Sequence, residues 1–161
     1  MPSDLPHVES PSELGQAVVA CVDRFLNQHP LGNNKNWNDL KARLLRWVQG
    51  IEAALAFDGL LWILENYDRY QYQLVAGELM QRASLPNSLP LDELLRRLLP
   101  RFEESARTIP GYIRTVFGKE AVLFTLDGLE KVTADPRLVG KIKTMRYWMG
   151  VPEDCLGTRD Q

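Results

Sequence analysis

Residues 38–55 read NDLKARLLRWVQGIEAAL, and their spacing decides the fold. Leu40, Leu44, Trp47, Val48, Ile51 and Leu55 recur mostly at three- and four-residue steps, with Lys41, Arg43, Arg46 and Glu52 between them. An α-helix turns roughly 100° per residue, so this spacing gathers the apolar side chains on one side and leaves charge off it. The pattern predicts a core-facing amphipathic helix. A half-buried strand would alternate in twos instead.

The same periodicity extends upstream. Ser10, Pro11 and Glu13 form a helix-start signature, with Ser10 as cap, Pro11 at the first helical position and Glu13 reaching back. Leu14, Val18, Cys21, Val22 and Phe25 follow on one stripe that stops near His29 and Pro30. Leu31–Asn36 (LGNNKN) is a turn composition, with Asn36 or Asn38 as the next cap.

Downstream, Asp58 and Gly59 mark a joint or a local irregularity before Leu60, Leu61, Ile63 and Leu64, a segment too apolar all round for the surface. A helix over about 67–83 carries one stripe of Tyr67, Tyr70 and Leu74 and another of Tyr72, Val75 and Leu79, so it should touch two neighbours. Ser84–Pro90 (SLPNSLP) reads as a loop. Leu91, Leu95, Leu98, Phe102 and Ile109 keep one stripe running past Pro100, which predicts a helix kinked there. Gly118 is placed to end a short helix, and Val122, Leu126, Leu129 and Val132 define the next. Asp135 as cap, Pro136 in the first turn, Gly150 and Pro152 bracket the last.

Alternating strand patterns and hairpin turns do not occur in the sequence. The expectation is an all-α, single-domain helical bundle of about six to eight helices. Residues 1–9 would be a flexible N-terminal tail, 10–150 the helical domain and 151–161 a C-terminal tail.

Composition bounds the function. The chain has 161 residues, is 45% hydrophobic and 25% charged, and carries a formal net charge of -2. Disorder, a collagen-like fibre and a dominant basic field for nucleic acid all need a skewed composition. Two cysteines cannot make a disulfide scaffold; Cys21 sits on an apolar stripe and Cys155 near a polar tail, so free thiols are expected. Met1–Glu13 holds acids and prolines where a secretory signal would start cationic and turn apolar, and no run approaches the roughly 18 to 20 apolar residues of a membrane span. A cytoplasmic protein without a transmembrane segment is expected.

Catalytic patterns are scarce. The two histidines are His7, in the expected tail, and His29, at a helix end. Cys21 lies about 12 Å from His29 along its helix, so the two cannot pair within it. G-x-S-x-G, C-x-x-C, H-E-x-x-H, paired Glu-x-x-His and phosphate-loop motifs are missing from the sequence. Glu65 with Asp68 and Asp127 with Glu130 are each three apart, which would put each pair on one helix face. Such spacing is also ordinary on solvated faces. No metal and no cofactor are expected.

The last helix holds the one constellation with functional content. Leu138, Ile142, Met145 and Met149 line one face, Arg137 and Lys141 flank it on one side, and Lys143 and Arg146 on the other. Tyr147 and Trp148 lie nearby, and Lys131 precedes the helix. Lys131, Arg137, Lys141, Lys143, Arg146 and Trp148 are the candidate binding residues. Their charge could meet phosphates, an acidic partner or lipid heads, or be solvated behind a core-packing stripe. Trp62, Tyr67, Tyr70 and Tyr72 raise the same choice between core and contact surface.

Three functional readings follow. The first is a non-enzymatic helical protein–protein interaction or regulatory module whose partner is another protein or a second copy of the chain. The second binds nucleic acid or another polyanion through the C-terminal helix. The third is an enzyme whose carboxylates and arginines meet only in the folded chain.

Overall fold

Ser10 starts the first helix as its sequence requires. Its hydroxyl accepts from the backbone N–H of Glu13 at 3.3 Å, and the Glu13 carboxylate reaches back to the N–H of Glu9 at 2.8 Å. The computed structural model describes residues 5–152, and among these the chain forms eight α-helices and no strand. They are α1 (Pro11–Gln28), α2 (Asn34–Gln49), α3 (Ala53–Asn66), α4 (Tyr70–Arg82), α5 (Leu91–Leu98), α6 (Thr108–Phe117), α7 (Lys119–Val132) and α8 (Pro136–Gly150). No described helix is long and apolar enough to cross a membrane.

The start of α2 differs from expectation. Asn33, rather than Asn36 or Asn38, is its cap, and its side-chain oxygen accepts from the N–H of Asn36 at 3.0 Å. Several asparagines in this loop have the right chemistry; the place where the chain turns decides between them. The stripe of residues 40–55 is likewise shared by two helices. α2 ends before Gly50, and the Glu52 carboxylate caps α3 by accepting from Ala54 and Leu55 N–H at 3.1 and 2.9 Å.

Asp58–Gly59 is therefore no joint but the middle of α3. Gly59 is there for contact: a Cβ on it would stand 2.7 Å from Leu14 Cδ2, and one on Gly15 would stand 2.3 Å from Trp62 Cε3. The reciprocal gaps let α1 and α3 cross at close range.

α4 is the central helix, packed on α3 and α6, and it buries the expected stripe of Tyr72, Val75 and Leu79. The other expected stripe is not formed: α4 starts at Tyr70, Tyr67 instead ends α3, Tyr70 is exposed and Leu74 is half-buried. One apolar cluster runs from Val8 to Met149, so Val8, in the expected N-terminal tail, belongs to the core. Cys155 lies outside the described residues.

At Pro100 the α5 helix tightens into a 3-10 turn, Leu99–Arg101, and ends at Phe102, whose ψ of 121° is extended. Ile109 falls on α6, so the stripe from Leu91 to Ile109 is divided between two helices. Proline supplies no N–H and crowds the preceding turn, which releases carbonyls that need other donors. Gln73, fully buried on α4, serves this segment: its amide NH2 donates to Arg101 O at 2.5 Å and to Tyr67 O at 2.7 Å, while its oxygen accepts from Glu103 N–H at 2.7 Å.

Candidate interaction surface

The proline break also engages the helix that carries most of the candidate binding residues. α8 begins where expected, with the Asp135 carboxylate accepting from Arg137 N–H at 2.9 Å. Ile142, Met145 and Met149 are buried against the core. Their neighbours then fall beside the segment following α5. Lys141 Nζ donates to Pro100 O at 2.8 Å, and Trp148 Nε1 donates to Glu104 O at 2.9 Å. Thr144 adds a hydroxyl bond to Glu104 Oε1 at 2.9 Å.

Arg146 turns to α7, where one nitrogen meets Glu130 at 2.5 Å and Asp127 at 2.7 Å. The hydrogen bond to Glu130 is the main reason its guanidinium pKa is raised. The six candidate binding residues therefore divide. Lys141, Arg146 and Trp148 join parts of the fold, whereas Lys131, Arg137 and Lys143 are exposed.

Three of the four paired carboxylates have structural partners. Asp127 and Glu130 converge on Arg146. Glu65 holds Arg97 in a two-pronged contact at 2.5 and 3.2 Å, and Asp68 lies beyond the end of α3, off Glu65's helix. Among the described residues, no group of three or more His, Cys, Asp or Glu side chains could hold a metal ion.

Cys21 and His29, separated along α1, nevertheless line one groove of about 260 Å³ between α1 and α2. Arg24, Asp39 and Arg43 share its walls. Burial pushes the Cys21 thiol pKa up, and Arg24 and Arg43 only partly pull it back. A thiol held protonated is the reverse of an activated nucleophile.

Of the aromatic set, Tyr72 is buried, Trp62 and Tyr67 are half-buried against the core and Tyr70 is exposed. Trp62 meets Tyr67 edge-on at 5.8 Å, and Tyr67 meets Tyr72 at 5.2 Å. The Tyr72 hydroxyl donates to Asp23 and accepts from Arg69. Burial, then the bond to Asp23, raises the Tyr72 pKa.

An unexpected surface appears on α7. Val122, Leu126 and Leu129 face the core as their spacing required, but Val132 is 71% exposed and Phe124 is 82% exposed. Ala121, Phe124, Gly128 and Val132 follow steps of three, four and four, so they share the outward side of one helix. This second stripe was present in the sequence, overlaid on the first. A Cβ on Gly128 would meet nothing within 4 Å, which leaves an open dimple one turn beyond Phe124.

Such a stripe provides large apolar contact area beside a place where another backbone can come close. Comparison with known proteins finds no matching family model, no matching curated protein and no matching solved structure.

Proposed function

We propose that this chain is a non-enzymatic helical protein–protein interaction module that docks on the outward face of α7. The observation that carries the reading is the exposure of Phe124 and Val132 on one continuous stripe with Ala121 and Gly128. Covering Phe124 removes a large aromatic ring from water, and aromatic side chains supply much of the energy at protein interfaces. The engagement of Lys141 and Arg146 within the fold lends further support, because of the five cations that the polyanion reading named it leaves Lys131, Arg137 and Lys143.

Site-specific photo-crosslinking tests the proposal. A photoreactive residue at position 124 should give a covalent adduct in cells, whereas one at exposed Gln16 on α1 should not. Equal labelling at both positions, or none at 124, removes the basis for the reading.

A further inference from the structure

We propose that the partner seated on α7 is a second copy of this chain, with the two α7 helices antiparallel about a two-fold axis at the level of Leu126. The proposal rests on the interaction-module reading and names its partner. Phe124 lies two residues before Leu126 and Gly128 two after it. Antiparallel pairing centred there places each Phe124 over Gly128 of the partner subunit. The projecting ring and the open dimple are thus at mirrored positions on one face. Gly128 also lets the helix axes approach closely enough for the ring to be covered on both sides.

Charge follows the same symmetry. Glu120 precedes Leu126 by six residues and Lys131 follows it by five. At roughly 100° per residue both stand on the same edge of the apolar stripe. A two-fold axis across the helices keeps that edge against itself while reversing direction, so Glu120 meets Lys131 of the partner subunit twice. Neither side chain makes an ion pair among the described residues, so both are available. Thr125, also on the outward side, already donates its hydroxyl to Ala121 O at 2.9 Å and enters the interface with that donor satisfied. A face on which ring and dimple, acid and base occupy mirrored positions fits its own copy.

The test is the mass of the full-length chain by light scattering over a concentration series. Wild type should approach twice the chain mass, and Phe124→Glu, at an exposed site that leaves the core untouched, should be monomeric with unchanged helicity. Glu120→Lys and Lys131→Glu should each raise the dimer dissociation constant about tenfold, since each sets two like-charge contacts in the interface. The double reversal should restore it.

A wild-type monomer throughout the series overturns the proposal, as does a dimer insensitive to Phe124→Glu. A double reversal no tighter than the single ones overturns the antiparallel register. If wild type is monomeric and position 124 crosslinks to a chain of different mass, the second copy is refuted while the interaction-module reading survives. A monomer with no crosslink at 124 sinks both.

Discussion

Arg146 donates to Glu130 at 2.5 Å, and the same nitrogen reaches Asp127 at 2.7 Å, so a cation of the last helix binds it to the one before. A side chain held by two carboxylates has little to offer an external phosphate. Arg146→Ala should lower stability by about 1 kcal/mol at low ionic strength and by less in high salt, because these groups are only partly buried. Urea denaturation at two salt concentrations measures this. A variant that is as stable as wild type but loses affinity for heparin would reverse the assignment.

A second ion pair lies deeper. Lys41 Nζ donates to Glu78 at 2.8 Å, and Glu78, only 2% exposed, is otherwise met by Arg82 at 3.2 Å. Lys41→Ala leaves a buried carboxylate with one partly exposed cation, for an expected loss of about 2–3 kcal/mol. Equilibrium unfolding of Lys41→Ala and Glu78→Ala, singly and together, should show the double variant losing less than the sum. Strict additivity would mean that the two groups do not interact.

Two glycines should respond oppositely to alanine. At Gly15 the added methyl would collide with the Trp62 ring at the α1–α3 crossing, so Gly15→Ala should cost about 1–3 kcal/mol despite its better helix propensity. At Gly140, inside α8, nothing stands within 4 Å of the new Cβ, and Gly140→Ala should stabilise by up to about 1 kcal/mol. Thermal melts compare them directly; shifts of the same sign would contradict the proposed difference in packing.

Tyr112 supplies a pH signature. Burial pushes its phenol pKa from 10.0 up to about 12, and its hydroxyl donates to Leu85 O at 3.0 Å. A raised folded-state pKa means that the stabilising contribution is complete below pH 10.0, where the unfolded phenol is still neutral, and is lost as pH rises through about 12. Tyr112→Phe should therefore be about 1 kcal/mol less stable than wild type at neutral pH, with the deficit shrinking across that alkaline window. Denaturation curves at matched pH values check it, and a constant deficit would rule out this ionisation.

How far the sequence could be read varied with the range of the interaction. The Ser10 and Asp135 caps were legible because donor and acceptor lie within three residues of each other. The division between α2 and α3 was not, because the stripe from Leu40 to Leu55 continues across both helices and Glu52 resembles any other surface acid until it caps. The candidate cations on α8 stand close together in the sequence. Their use inside the fold depends on the break after Pro100, whose carbonyl and following segment take up Lys141 and Trp148.

By itself the sequence determined that the chain is helical and bracketed α1 and α8, since side-chain periodicity and capping act over a single turn. Tertiary structure alone decided which of two apolar stripes on α7 would be buried. α5, α6 and α8 meet that helix on the side of Val122, Leu126 and Leu129, leaving Phe124 and Val132 to water. Burial depends on which neighbours arrive, and a stripe of residues carries no record of them.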